Sequence, residues 1–425
     1  MPDIPVSIRL NPYKACSLPF TEGAEEVPWS PYGLYLPSRP SFTLDPHFHA
    51  GAYYVQDASA MFVGYALRCA LDRFGGRKVL DLCAAPGGKS TDAAASLRER
   101  FGSGYVLVSN EVIRARASVL QDNLALWGDP NVVVTSSDAR AFAAVKGYFD
   151  VVIADVPCSG EGMFRKSAAA REMWSEDNVA LCAARARRIV ADVWDSLAPG
   201  GILVFSTCTL NDEENDGNAA WICETLGASE VDFGMPFEGP VRKQYGYLLE
   251  PGVVRGEGQY CALLRKDGGR EEACYDGGRE EACPDGTAAD GPLPVEDTLE
   301  FFERGDSVLA LPRYLSAQMG FLARKVNILS AGTCAFTLKG RDRIPCADLA
   351  LSLALTQDDF PMVEISREDA LRFLHKDALR LPDAPTGYVA VTYDGLPLGF
   401  VKNLGTRANN LHPASRRILM NVEGK

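Results

Sequence analysis

The chain has 425 residues, of which 47% are hydrophobic, and its formal net charge is −13 at pH 7. This length favours two or three domains, and the composition excludes an intrinsically disordered protein. No uncharged hydrophobic run approaches the roughly 18 residues of a transmembrane helix, and the N-terminus lacks a signal-peptide core. We therefore expect a cytoplasmic protein with no membrane contact.

The cysteines and histidines do not form a recognisable metal site. The twelve cysteines include no CxxC pair, and their spacing fits neither a zinc ribbon nor a disulfide framework. His47 and His49 are close in sequence but have no third ligand at a matching spacing. We predict no metal ion, and we expect most of the cysteines to be small buried residues.

Hydrophobic strands alternate with helices from residue 78 to residue 207. The helix after Ser175 is expected to run to the Pro-Gly-Gly sequence that begins at Pro199. Strands are predicted at 78–82, 105–110, 131–136, 149–155 and 202–207, and further helices at about 89–100 and 113–127. This alternation predicts an α/β fold with a doubly wound, mostly parallel sheet of the Rossmann-like type.

Polar or reactive side chains stand at or just after the ends of the predicted strands. They are Asp81, Glu111, Asp138, Asp155, Cys158 and Cys208. In a doubly wound sheet, ligands bind beyond the carboxyl ends of the strands. The shared position of these residues therefore predicts one functional site at that edge.

The sequence DLCAAPGGKS, which starts at Asp81, predicts a loop that binds an anion. It is neither a phosphate loop, because Cys83 stands where that motif needs glycine, nor a GxGxxG turn. Gly87 and Gly88 allow a close backbone approach, and the helix that follows favours a carboxylate at its N-terminus. Glu111 would bind the ribose of a nucleoside, and the aspartate after the third strand would accept from its adenine. A nucleoside joined to an amino-acid carboxylate is S-adenosylmethionine, which is therefore the predicted ligand.

The two cysteines predict covalent chemistry on cytosine. A thiolate that adds to carbon-6 makes carbon-5 nucleophilic enough to accept a methyl group. Asp155 would assist near ring N3, either protonated or as an acceptor from an amino group, and a base would then remove the carbon-5 proton. From these residues alone, either Cys158 or Cys208 could be the nucleophile that adds to carbon-6. A helix that starts near Asn211 and the donor's sulfonium charge are expected to favour the thiolate.

The C-terminal part of the chain is separated by an acidic repeat, in which DGGREEAC occurs twice. This repeat predicts a flexible linker over 266–298. Beyond it, the segment 313–345 has six basic residues and one acidic residue, and the segment 398–425 has five and one. Short predicted strands among helices indicate a small separate α+β or β-barrel module whose basic surface favours RNA.

Several of these motifs resemble those of the Sun-type (Nol/Nop/Sun) RNA cytosine-C5 methyltransferases. The motifs are SIRLNPYK, GAYYVQDASAM, DLCAAPGGKS, NE with Arg116 five residues after the glutamate, DAR, DVPCSGEGMFRK and STCTLNDEEN. The tail GLPLGFVKNLGTRANNLHPASRRI resembles the PUA-like RNA-binding end of the bacterial RsmF branch. This resemblance covers most of the chain and implies a class I methyltransferase fold.

The resemblance also implies a role for each site residue. Cys208 would be the nucleophile and Cys158 would assist release of the methylated base, with Asp155 as the third catalytic residue. The methyl donor would be bound by Cys83, Ala84, Ala85, Pro86, Gly87, Gly88, Lys89, Glu111, Arg116, Asp138 and Asp155.

Four regions and one main function follow from the motifs and the resemblance. The regions are 1–70, an N-terminal α+β RNA-binding subdomain; 71–265, the methyltransferase domain; 266–298, the linker; and 299–425, a PUA-like RNA-binding region. We expect a monomer that forms 5-methylcytosine in ribosomal RNA, without an obligate protein partner. The alternatives are a transfer RNA methyltransferase and a non-catalytic RNA-binding assembly factor; a nicotinamide-dependent oxidoreductase is disfavoured because GxGxxG is missing.

Overall fold

The computed structural model describes residues 5–165, 171–172, 174–268, 299–355 and 359–422. Most of the predicted linker therefore lies outside the described residues. In the described parts, the helices are α1 Pro46–His49, α2 Phe62–Phe74, α3 Gly88–Phe101, α4 Arg114–Trp127, α5 Glu176–Val193, α6 Asp216–Leu226, α7 Arg313–Leu322, α8 Ala347–Leu351 and α9 Arg367–Leu374. Among these residues, no helix combines the length and hydrophobicity needed to span a membrane.

Thirteen strands of the described residues precede the linker. They are β1 Ser7–Leu10, β2 Glu25–Glu26, β3 Gly33–Tyr35, β4 Tyr53–Val55, β5 Lys78–Asp81, β6 Val106–Asn110, β7 Val132–Thr135, β8 Phe149–Asp155, β9 Leu197–Thr207, β10 Ala228–Val231, β11 Val241–Arg242, β12 Tyr247–Leu249 and β13 Gln259–Lys266. Strands β1 to β4 form a small N-terminal sheet in the order β2-β3-β1-β4.

The remaining strands follow the linker. They are β14 Leu299–Arg304, β15 Ser307–Pro312, β16 Ile328–Ala331, β17 Thr333–Lys339, β18 Asp342–Pro345, β19 Met362–Glu364, β20 Gly387–Tyr393, β21 Leu396–Asn403 and β22 Ala408–Asn410. Two four-stranded sheets result, in the orders β14-β15-β17-β18 and β19-β20-β21-β22.

The central sheet has the doubly wound, mostly parallel arrangement that the sequence predicts. Its order is β11-β12-β13-β9-β8-β5-β6-β7-β16, and β10 pairs with β13. The five strands from β9 to β7 are parallel neighbours, whereas β13 and β16 pair antiparallel with the outer two. The chain moves outward from β5 to β7 and then returns to β8 on the other side of β5. This switch point is where such sheets bind ligands.

The helix α5 ends earlier than the sequence predicts. It stops at Val193, and the Pro-Gly-Gly sequence lies inside β9 and not at a helix end. Leu197 pairs with Phe149 and Ile202 with Val151, so the extra residues on β9 form a bulge. Gly200 takes a left-handed φ of 75° there, which glycine adopts without strain.

The segment after the linker is not wholly separate from the central sheet. Strand β16 pairs antiparallel with β7, with Ile328 opposite Thr135 and Ala331 opposite Val133. The backbone N–H of Ser136 also donates to the carbonyl oxygen of Asn327 (2.9 Å). The C-terminal segment thus covers a sheet edge that would otherwise be open to other strands.

Basic side chains of the SIRLNPYK segment are buried against the methyltransferase domain. Arg9 is fully buried, donates to the carbonyl of Gly88 (3.1 Å) and lies 4.6 Å from the centroid of the Trp127 ring. Lys14 donates to the carbonyl of Leu126 at the end of α4 (2.7 Å), and burial lowers its pKa to about 7. These two side chains join the N-terminal segment to the methyltransferase domain, and the RNA-binding role of 1–70 stays a prediction.

Candidate active site

The two motif cysteines lie in contact at the carboxyl edge of the central sheet. Cys208 directly follows β9, and Cys158 lies three residues after β8. Because β8 and β9 are adjacent and parallel, their ends lie side by side. The two sulfur atoms are 3.2 Å apart.

The two thiols differ in acidity because their surroundings differ. The hydrogen bond from Cys158, opposed by burial and the charge of Asp155, lowers the pKa of Cys208, and the positive charge of Lys89 lowers it further. The bond to Cys208, together with burial, holds the pKa of Cys158 well above its ordinary value. Cys208 is therefore the thiol that loses its proton more readily, and Cys158 can donate its S–H to the resulting thiolate.

The predicted helix start near Asn211 is wrong. Helix α6 begins five residues later, at Asp216. The amide of Asn211 instead donates to Glu214 Oε1 (2.8 Å) and to Thr209 Oγ1 (3.0 Å), which favours a turn after the cysteine. The Cys208 thiolate is thus stabilised by neighbouring side chains and not by a helix N-terminus.

The carboxylate of Asp155 is held by three donors. Its Oδ2 accepts from Lys89 Nζ (2.9 Å), and its Oδ1 accepts from Ser206 Oγ (2.8 Å) and from Gln259 Nε2 (3.2 Å). Ser206 is the residue opposite Asp155 in the pairing of β8 with β9. These contacts fix the carboxylate at the end of β8, on the strand neighbouring the one that precedes Cys208.

The glycine-rich loop between β5 and α3 is shaped by side chains of α4. The carbonyl of Ala85 accepts from Arg116 Nη2 (2.9 Å), and that of Pro86 accepts from Asn123 Nδ2 (2.8 Å). Gly87, which precedes α3, has a left-handed φ of 116°, a conformation that favours glycine. The loop thus presents backbone to the switch point and the N-terminus of α3 lies directly behind it.

Asp81 has an unsatisfied acceptor in this region. Ser90 Oγ donates to its Oδ2 (2.6 Å), while its Oδ1 is buried without a hydrogen-bond partner. Burial raises the pKa of Asp81 to about 7. A buried acceptor beside a glycine loop suits the ammonium group of an amino-acid ligand, so the residues present fit S-adenosylmethionine.

Glu111 and Asp138 follow β6 and β7 in the same row of strand ends. Glu111 is buried, accepts from the backbone N–H of Ile113 (2.9 Å) and forms an ion pair with Arg116 (3.2 Å). Asp138 is exposed, and its carboxylate caps the following turn by accepting from the N–H of Arg140 (3.0 Å). Both acids face the same edge of the sheet as the loop, as the strand order requires.

Three further residues contact the site without having been predicted. Glu161 accepts from the N–H of Leu210 (3.0 Å), and Glu214 accepts from the N–H of Ser159 (2.9 Å). Gln259, which holds Asp155, lies in none of the motifs. Both glutamates lie within motifs quoted above. Their hydrogen-bond partners lie on the other loop, so neither motif alone indicates them.

The two histidines do not converge on a common point. His47 lies between Asp45 (3.0 Å) and Asp394 (3.2 Å), whereas His49 contacts the carbonyl of Thr43 (2.9 Å). Within the described ranges, no group of three or more histidine, cysteine or acidic residues could hold a metal ion.

A paired thiolate and thiol beside a fixed aspartate and a glycine-rich loop define the class of the protein. It is a methyltransferase that uses S-adenosyl-L-methionine. Family models match three parts of the chain. They are 16S rRNA methyltransferase RsmB/F at 69–264, the N-terminal domain of 16S rRNA methyltransferase RsmF at 2–58 and the methyltransferase RsmF PUA domain at 360–418.

Similar proteins extend over nearly the whole chain. The ribosomal RNA small subunit methyltransferase F of Shigella boydii serotype 18 is 30% identical over 96% of this chain and 89% of its own length. The protein of the same name from Pectobacterium atrosepticum is 28% identical over 96% and 87%. The chain therefore belongs to the RsmB/F family of 16S rRNA methyltransferases.

Solved structures agree with this assignment. A methyltransferase homolog from Pyrococcus horikoshii has a TM-score of 0.51 and is 26% identical over 62% of this chain and 87% of its own length. NSun6 from the same organism, crystallised with SFG, has a TM-score of 0.52 at 20% identity over 62% of this chain and 91% of its own length, which shows the shared fold.

Proposed function

We propose that this chain forms 5-methylcytosine in the RNA of the small ribosomal subunit, with Cys208 as the nucleophile. The observation that carries the proposal is the contact between two thiols, 3.2 Å apart, of which Cys208 has the lowered pKa. A single packed cysteine would not explain this pairing. The names of the relatives and the match to an RsmF PUA domain support ribosomal RNA as the substrate.

In the proposed reaction, the residues of the site act one after another. The Cys208 thiolate adds to carbon-6 of the cytosine, and the ring electrons move to carbon-5. The bound donor supplies an electrophilic methyl group on its sulfonium. Asp155, held by Lys89 and Ser206, faces the N3 side of the ring and stabilises the adduct. A base takes the carbon-5 proton, the electron pair of that C–H bond re-forms the C5–C6 double bond, and the Cys208 thiolate is expelled, with Cys158 assisting this release.

The methyl donor lies along the row of strand ends in this proposal. The N-terminus of α3 would receive the carboxylate of the donor, the free Oδ1 of Asp81 would accept from its ammonium group, Glu111 from its ribose and Asp138 from its adenine. The donor-binding residues are those predicted from the sequence, with Asp81 added: Asp81, Cys83, Ala84, Ala85, Pro86, Gly87, Gly88, Lys89, Glu111, Arg116, Asp138 and Asp155.

The C-terminal region supplies RNA contact in this account. The segment matched by the PUA model contains the basic residues Lys402, Arg407 and Arg416, of which Arg416 is used in an internal ion pair. We place the protein in the cytoplasm as a monomer. Because the contacts are with phosphates, RNA affinity should fall as salt is raised.

Bisulfite sequencing of total RNA tests the proposal. Cells that lack the gene should lose protection at a cytosine of small-subunit RNA, and the wild-type gene should restore it, whereas a Cys208→Ala gene should not. Loss confined to transfer RNA would replace the substrate. If no cytosine changed, the non-catalytic assembly factor would be favoured instead.

A further inference from the structure

The loops that carry the two cysteines are joined by a buried carboxylate. Glu214 is 1% exposed and accepts from both the backbone N–H (2.9 Å) and the hydroxyl of Ser159, which directly follows Cys158. Its Oε1 also accepts from Asn211 Nδ2 (2.8 Å), three residues after Cys208. One side chain thus bonds to both loops.

Neutral hydroxyl groups complete the bridge. Ser159 Oγ lies 2.9 Å from Thr209 Oγ1, and Thr209 directly follows Cys208. The residue after each cysteine is therefore in contact with the residue after the other. The backbone N–H of Gly162 also donates to the carbonyl of Cys208 (3.0 Å). Each cysteine is therefore next in sequence to a residue that these hydrogen bonds hold in place.

We propose that Glu214 is a positioning residue that sets the distance between the sulfur atoms of Cys158 and Cys208. Three donors converge on its carboxylate, and hydrogen bonds to a charged acceptor are about twice as strong as neutral ones. Removing the carboxylate leaves the buried Ser159 N–H and the partly exposed Asn211 amide without this acceptor. The two loops then lose their common anchor, and the spacing of the thiols is no longer fixed.

The charge of Glu214 acts on the same pair. The bond to Cys208 and burial raise the pKa of Cys158 most, and the negative charges of Asp155 and Glu214 add to this effect. Glu214 therefore helps to keep Cys158 in its thiol form. This effect of the charge opposes disulfide formation, whereas the positioning effect promotes it. Slower oxidation after loss of the carboxylate would therefore indicate positioning, and faster oxidation would indicate the loss of charge.

Disulfide formation measures the spacing without RNA or methyl donor. The reagent is diamide, an azo compound that takes two electrons and two protons from two thiols and becomes a hydrazine as the S–S bond forms. In the wild-type chain, limiting diamide should join Cys158 to Cys208 rapidly. Glu214→Gln should slow this reaction about tenfold or more, as expected when a charged hydrogen-bond acceptor is lost.

The chain supplies two matched controls. Glu213 is the exposed neighbour of Glu214, so Glu213→Gln should leave the rate unchanged. Cys334 and Cys346 form a second thiol pair, with sulfur atoms 2.9 Å apart, between β17 and the start of α8. Their oxidation in the same sample should not respond to Glu214→Gln, and peptide mass spectrometry distinguishes the two disulfides.

The oxidation test does not depend on the proposed function, although the catalytic role of Glu214 rests on that function. An unchanged Cys158–Cys208 rate in Glu214→Gln would overturn it, as would equal slowing of both pairs, because general loosening would then be the cause. If Glu214→Gln does not fold, Ser159→Ala removes one donor and should slow the reaction by a smaller factor; no slowing would again overturn the proposal.

A catalytic readout completes the test. Release of the RNA needs Cys158 in place, so Glu214→Gln should accumulate a covalent RNA adduct, with a lowered kcat and an unchanged KM for the methyl donor. If diamide shows the spacing effect but no variant forms an adduct, the positioning role stands and the proposed function is wrong.

Discussion

Two thiols of the same chemical type differ in acidity at this site because one donates a hydrogen bond to the other. Cys208 receives this bond and lies near the ammonium of Lys89, so its thiolate is stabilised. Cys158 is surrounded by buried groups and nearby acids and keeps its proton. The difference in acidity between the two thiols thus exists before any substrate binds.

At this residue scale, we predict that removal of either stabilising group raises the pKa of Cys208. Cys158→Ala removes the hydrogen bond, which has the larger effect, and Lys89→Met removes the positive charge. The pH profile for alkylation of Cys208 by iodoacetamide, followed by peptide mass spectrometry, should move upward in both variants and further in Cys158→Ala. Lys78→Met should match the wild type, and profiles unchanged in both test variants would contradict this account.

At the scale of elements, the site depends on which strands are neighbours. Asp155 and Cys208 meet because β8 and β9 are parallel and in register, with Asp155 opposite Ser206. The antiparallel strand β13 then brings Gln259 to the same carboxylate. Residues far apart in sequence thus share one carboxyl edge.

A pH-dependent contact joins the N-terminal sheet to the C-terminal module. His47 in α1 lies between Asp45 and Asp394, the latter in the turn between β20 and β21. Burial lowers the pKa of His47, but the hydrogen bonds and charges of the two aspartates outweigh it and raise the pKa above 6.5. The charged contact therefore stabilises the fold fully below pH 6.5 and is lost as the pH rises through the raised value.

We accordingly expect His47→Gln to lower the melting temperature most at low pH. Between roughly pH 6 and pH 9, the difference between wild type and variant should shrink as the pH rises. His49→Gln serves as the control, because the pKa of His49 is lowered and not raised. A difference that grew with pH would show that His47 is not stabilised as a cation.

The sequence predicts the parallel core of the sheet well but not its outer strands. Short hydrophobic runs bounded by turn residues, such as 149–155, favour buried strands, and their alternation with helices favours a parallel sheet. Strand β16 has four residues and its partner β7 lies about 190 residues away, so no local pattern announces it. The partners of Glu214 and Gln259 depend on such distant pairings, which is why the motifs showed the cysteines but not what holds them.

At the scale of the whole molecule, the C-terminal module is tied to the catalytic domain by more than the linker. Strand β16 extends the central sheet, and Arg416 forms ion pairs with Asp122 of α4 (2.9 Å) and Asp348 of α8 (2.7 Å). Arg416 is largely buried, so these charged hydrogen bonds are stronger than exposed ion pairs. Helix α4 also holds the glycine-rich loop through Arg116, so the C-terminal module and this loop share one support.

We predict that cutting the linker does not separate the two parts. A protease site inserted between the two DGGREEAC repeats should yield two fragments that elute together in size-exclusion chromatography. Adding Ser330→Pro, which disrupts β16, and Arg416→Gln should make them separate, whereas Arg417→Gln alone should not. Separation of the cut wild-type chain without denaturant would contradict the described packing.

The central claim, that Cys208 attacks the cytosine and Cys158 permits release, is tested most directly by mapping the covalent adduct. Cys158→Ala enzyme should be mixed with small-subunit RNA and S-adenosyl-L-methionine, digested with protease and nuclease, and analysed by mass spectrometry. We expect a methylated cytidine nucleotide attached to Cys208, and no adduct in Cys208→Ala. An adduct on Cys158 in the Cys208→Ala enzyme would reverse the two roles.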